Sequence, residues 1–146
     1  MKICYFEKEH AFKMQEWIIE TSGGNKGYTT DRIVYLDSVL SHVKNDTFYP
    51  TFEDKLAHIV YSICTLYPFV DGNKRLALVL GALFLELNGY DDFVEKYIHN
   101  MEDIMVLIAS SKMDKNLLYE VIKSIIYEDE FNYKLRQKVL KAQDKQ

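Results

Sequence analysis

The sequence predicts an all-α domain, and three observations carry that reading. The chain holds 6 Gly and 2 Pro among 146 residues, too few turn formers for an all-β sandwich or barrel. Apolar residues recur at three- and four-residue spacing through most of the chain, the period of helices that bury one face. Apolar side chains make up 48% and charged ones 27%, a globular balance that excludes a disordered or fibrous chain. A domain of this size hides roughly 68–70% of its extended surface on folding, enough for one sizeable core.

Taken in order, Phe6, Ala11, Met14, Trp17 and Ile18 give a first helix over about 6–20. It ends at Ser22-Gly23-Gly24-Asn25-Lys26-Gly27, a run with half of the glycines, which must be a loop. Thr29 or Thr30 can cap a second helix, striped by Ile33, Val34, Leu36, Val39, Leu40 and Val43 and ending near His42. Residues 43–52 read as a short hairpin or an irregular loop. Thr51 with Asp54 resembles a capping box for a third helix carrying Leu56, Ile59, Val60, Ile63 and Cys64.

From Lys74 to Asn88 the chain is apolar almost all round, with Gly81 inside and Gly89 closing the end, as expected of a central helix. Tyr90 to Met101 is ambiguous. Residues 102–110 and 114–127 read as two more helices, the last capped by Asp114. The expected division is a compact domain of about six helices over 1–127, followed by a charged helical extension over 128–146 on which Phe131, Leu135 and Val139 form a narrow stripe.

Charge and composition narrow the function classes. A formal charge of −4 and a pI near 5.6 leave no overall basic field, so direct nucleic-acid binding is not expected. Cys4 and Cys64 stand without CxxC or HxxxH spacing, which suits a reducing compartment and offers no zinc site. The longest apolar run, Leu76 to Leu85, is ten residues, too short to span a bilayer. A soluble, cytoplasmic protein is expected. His10, His42, His58 and His99 share no ligand or triad spacing and read as structural or surface groups.

The chemistry is concentrated in Tyr67-Pro68-Phe69-Val70-Asp71-Gly72-Asn73-Lys74-Arg75, a polar turn running directly into the most apolar helix. The amides of a helix's first turn lack internal partners, and the helix dipole places partial positive charge there, so phosphate is attracted. Gly72 lets a ligand approach the backbone, Asn73 can donate, and Lys74 and Arg75 add two charges, Arg75 with a bidentate fork. Asp71 is the natural inner ligand for a Mg²⁺ ion bridging phosphates. The arrangement calls for a nucleotide.

FxDGNKR entering an apolar helix resembles the signature of the Fic/Doc (Fido) family, HxFx[D/N/E][A/G]N[G/K]R. Phe69, Asp71, Gly72, Asn73, Lys74 and Arg75 match; Tyr67 stands where the family has histidine. The resemblance implies that Asp71 holds Mg²⁺, that Gly72, Asn73, Lys74 and Arg75 bind and polarise the phosphates of ATP, and that 43–52 is a flap receiving the target segment, by strand addition in one form. It also implies catalytic parts for the residue at position 67, Asp71 and Arg75.

Within the family, Fic members usually carry a second arginine three residues after the first, where this chain has Leu78. The NKR ending and the missing second arginine resemble the Doc branch, toxins of toxin–antitoxin pairs that phosphorylate elongation factor Tu. Pro68 and Gly72 are closer to Fic proteins, which transfer AMP to protein hydroxyls. Expected partners are therefore a target protein, such as that translation factor, and a separate antitoxin. Ser124 to Asp129 nearly matches the inhibitory pattern [S/T]xxxE[G/N], but the arginine such a glutamate engages is replaced by Leu78.

The family histidine acts as general base on the attacking hydroxyl. An imidazole titrates near 6.5 and a phenol near 10, so a phenol is ionised in only about one molecule in a thousand at pH 7. Losing such a base removes roughly 10²–10⁴-fold in rate while leaving phosphate binding intact. Three readings of Tyr67 stand: a relative that has lost transfer, one active by another route, or a substitution introduced to let a toxic protein be produced. The corresponding functions are a weakened transferase, or a non-catalytic nucleotide-binding or protein-interaction module.

Overall fold

The computed structural model describes residues 2–145; Met1 and Gln146, at the ends of the two expected segments, lie outside them. Seven α-helices run α1 Lys8–Ser22, α2 Thr30–His42, α3 Phe52–Leu66, α4 Asn73–Leu87, α5 Val94–Ala109, α6 Lys115–Tyr127 and α7 Tyr133–Gln143, with a 3-10 turn at Asp91–Phe93. No strand occurs among the described residues. The fold is all-α, as the apolar periodicity requires.

Helix α4 is the centre, flanked by α1, α3 and α5, while α3 also meets α2 and α6. Leu76, Ala77, Leu80, Phe84 and Leu85 of α4 are buried against Leu56, Val60 and Ile63 of α3 and Tyr97, Met101 and Met105 of α5. Gly81 makes the closest of these approaches possible. An added Cβ there would stand 2.0 Å from the Tyr97 hydroxyl and 3.0 Å from a Val60 methyl.

Helix starts follow local caps. The Thr51 hydroxyl accepts from the Asp54 amide (3.1 Å), and the Asp54 carboxylate accepts from the Thr51 amide (3.1 Å), completing the box that opens α3. Asp114 accepts from the Leu117 amide at 2.8 Å and opens α6.

Helix α1 begins two residues later than expected, because Glu7 and His10 form its capping box. Phe6 therefore precedes the helix, in a segment that Asn88 grips by both backbone groups of Cys4 (2.8 and 2.9 Å). Trp17, counted in the apolar stripe, faces outward at 55% exposure, and the buried face instead carries Gln15. Helix α5 begins at Val94, well before residue 102, so the ambiguous stretch divides into the 3-10 turn and two helical turns that bury Tyr97 and Met101. Helix α7 lies on α6 and buries Leu135 and Ala142.

The connection between α2 and α3 is a series of turns rather than a hairpin. Two interior side chains fix it. Buried Lys55 donates to the Val43 carbonyl (2.9 Å) and to Asp46 (2.7 Å). Tyr49 stacks on buried His58 with ring centroids 4.2 Å apart. Lys115 donates to His58 Nδ1 at 2.9 Å. Burial, and then the Lys115 charge, push the imidazole down to about 4.

Two expectations follow. Gly81→Ala should cost about 1–3 kcal/mol by overpacking against Tyr97, seen as a lower urea midpoint; an unchanged midpoint would contradict the close approach. His58 titrates in the folded chain below its ordinary value, so the unfolded chain takes up the proton first as pH drops. The stability it contributes is present above the ordinary value and lost toward acid: about 1–2 kcal/mol should disappear between pH 7 and 5, measured by urea denaturation and reduced in His58→Gln.

Candidate functional site

The turn between α3 and α4 is fixed by one side chain. The Asn73 amide donates to the Phe69 carbonyl (2.9 Å) and accepts from the Phe69 amide (3.0 Å), with Asn73 only 7% exposed. Both polar atoms of the Asn73 side chain thus take part in closing the turn. Phe69 is anchored below by edge-on contacts with Phe12 (5.7 Å) and Tyr28 (6.4 Å). The Val70 amide donates to the Gly27 carbonyl at 3.0 Å, joining the turn to the α1–α2 loop.

Gly72 begins α4 with φ +74 and ψ +13, a left-handed conformation in which an L-residue would be strained. No side chain caps α4. The amides of its first turn thus have no side-chain cap, the arrangement that attracts an anion, although Asp71 takes up the Gly72 amide just before them. Lys74 is exposed beside them. Arg75 Nη2 lies 3.9 Å from Asp71 Oδ1, so the cation and the carboxylate flank the helix entry together.

Asp71 accepts from the Asn25 amide at 3.0 Å and from its neighbour Gly72 at 2.9 Å. These two bonds, with a smaller part from Arg75, hold its carboxyl below the usual range, so it is ionised at neutral pH. Among the described residues no group of three or more His, Cys, Asp and Glu could hold a metal. A cation at Asp71 would complete its shell with phosphate oxygens and water, the coordination Mg²⁺ favours.

Tyr67 is 48% exposed and ends α3 at φ +51 and ψ +60, an unusual conformation for a bulky residue. Arg32 of α2 holds it there. Its guanidinium donates to the Leu66 carbonyl and, through Nε, to the Tyr67 carbonyl at 3.4 Å. The motif residues are therefore brought together around one helix entry. Four others join them that the motif does not contain: Gln15, Ser22, Asn25 and Arg32. Gln15 Nε2, from a residue 1% exposed, donates to the carbonyls of Asn25 (3.3 Å) and Asp71 (3.2 Å). Its signal in the sequence is a lone amide on the face shared by Ala11, Ile18 and Ile19.

Comparison with known proteins agrees with this geometry. The sequence pattern of the Fic/DOC family matches residues 5–85, which covers α1 to α3, the whole turn and all but the last two residues of α4. A protein of Mycolicibacterium smegmatis (strain ATCC 700084 / mc(2)155) named Toxin Doc is 33% identical over 66 residues, 45% of this chain and 51% of that protein. The chain thus spans about half the length of the relative it matches. No solved structure matches the chain. With the pattern covering more than half of the residues and including the α3–α4 turn, the chain belongs to the Fic/DOC family.

Proposed function

We propose that this chain is a toxin-type domain that binds Mg²⁺–ATP at the entry to α4 and transfers phosphate, or AMP, to a hydroxyl side chain of a target protein, in a form weakened at Tyr67. The carrying observation is the uncapped start of α4 with Asp71 and Arg75 3.9 Å apart beside it. Arg75 and Lys74 would take phosphate oxygens, with the first-turn amides completing the cradle. Asp71 is the carboxylate that fits a magnesium ion, which when bound neutralises phosphate charge. Asn73 would act through the turn that it closes.

The attacking hydroxyl needs a proton acceptor at the edge of this cradle. Residue 67 stands there by analogy with the family pattern, and a phenol is a poor base at neutral pH. Leu78, in place of a second arginine, favours a phosphate increment over AMP. The relative named Toxin Doc supports restraint by a separate antitoxin, and the family resemblance suggests elongation factor Tu as the target. The α2–α3 connection, with Phe48 74% exposed, is the surface suited to receiving a target segment through side chains, since it presents no strand edge.

A non-catalytic nucleotide-binding module is the second reading, favoured by Tyr67 itself. One experiment separates the two. Histidine tolerates the left-handed conformation at position 67 better than most residues, and the half-exposed phenol leaves little packing to lose. Tyr67→His should restore roughly 10²–10⁴-fold in rate and arrest bacterial growth. The chain as written should be tolerated, and Tyr67→His with Asn73→Ala should be harmless. Intact-mass analysis of modified proteins should show a phosphate-sized increment; an AMP-sized one assigns the other transfer. A folded Tyr67→His protein that modifies nothing and slows no growth leaves the non-catalytic module.

A further inference from the structure

The groups offered to a ligand at the start of α4 are already engaged by the chain itself. Arg75 Nη1 donates to the Ser22 hydroxyl and to the Gly23 carbonyl (3.0 Å), while Nη2 faces Asp71. Asp71 Oδ2 takes the Asn25 amide. Gly24 covers the same oxygen so closely that an added Cβ would sit 2.6 Å from Oδ2 and 3.0 Å from Cγ. Four consecutive residues, Ser22 to Asn25, therefore lie across both the carboxylate and the guanidinium.

The turn is held and hinged in a particular way. Buried Gln15 ties the Asn25 carbonyl to the Asp71 carbonyl from beneath. Gly23, Gly24 and Gly27 have φ values of +91, +118 and +100, which glycine reverses at little cost. The upper contacts, by contrast, are exposed hydrogen bonds, each worth little against water. Such an arrangement closes without a ligand and opens without unfolding.

We infer that the Ser22–Asn25 turn is a latch over the phosphate cradle, and that it lifts from Asp71 and Arg75 when these groups take a ligand. The inference rests on the nucleotide reading of the site and adds to it a closed state in which the chain competes with its own ligand. A ligand binds more weakly by the fraction of time the latch is open, and anything that loosens the latch raises apparent affinity.

Gly24→Ala tests this, because the new Cβ would meet Asp71 Oδ2 at 2.6 Å and Ile19 Cδ1 at 2.9 Å, so the turn must shift while no cradle residue is replaced. Ser22→Ala is the milder companion, removing one latch contact without backbone strain. The measurements are amide hydrogen exchange at residue 25 and calorimetric titration with Mg²⁺–ATP on the full chain. In Gly24→Ala the Asn25 amide should exchange roughly tenfold faster without ligand, and both variants should bind about fivefold tighter, the equivalent of one hydrogen bond of about 1 kcal/mol. In the unaltered chain, saturating Mg²⁺–ATP should speed exchange at Asn25. If Mg²⁺–ATP binds while Asn25 stays protected and neither variant binds tighter, the latch is wrong and the nucleotide site stands. If Asn25 exchanges fast in Gly24→Ala and neither protein binds Mg²⁺–ATP, the nucleotide reading falls, and the latch over it falls too.

Discussion

The site depends on the pair of hydrogen bonds between the Asn73 amide and the backbone of Phe69. They are buried, so neither can be exchanged for water without leaving polar groups unpaired. By closing the turn they set where α4 begins, with no side-chain cap on its first amides. They also bring Asp71 and Arg75 to one side of that entry and leave Tyr67 at the other, where Arg32 takes up the free carbonyls of α3. Replacing Asn73 by alanine would remove both bonds at once. It would let the whole turn relax.

The rest of the fold supports this entry from behind. α4 is buried along most of its length because Gly81 admits Tyr97 and because Phe52 stacks between Phe84 (4.9 Å) and Tyr90 (4.3 Å) at its far end. A helix packed on three sides is the fixed element of this entry, and the turn in front of it carries the glycines with positive φ.

Much of this was legible in the sequence wherever the cause is local. Thr51 with Asp54 and Asp114 with Leu117 are caps made within one helical turn, and they placed the starts of α3 and α6 correctly. The motif marks the α3–α4 turn for the same reason. Helix α5 was misjudged because its start depends on Tyr90, which is held by the Leu85 carbonyl (2.9 Å) and by stacking on Phe52, contacts that no periodicity reveals. The part of Asn73 in closing the turn is not legible, because spacing gives residue types and not the atoms they face. Gln15 and Arg32 belong to other helices, and their parts at the site arise only from packing α1 and α2 against the turn.

The central claim is that the start of α4 is a phosphate site in which Arg75 supplies the charge. Calorimetric titration of Mg²⁺–ATP into the chain and into Arg75→Ala tests it most directly. Arg75 also makes latch contacts with neutral acceptors, but a charge-assisted bond to phosphate is worth more, about 1.5–3 kcal/mol. The account predicts saturable binding at one site, weakened roughly tenfold in Arg75→Ala. Binding with equal affinity in both proteins, or no binding in either, would contradict it.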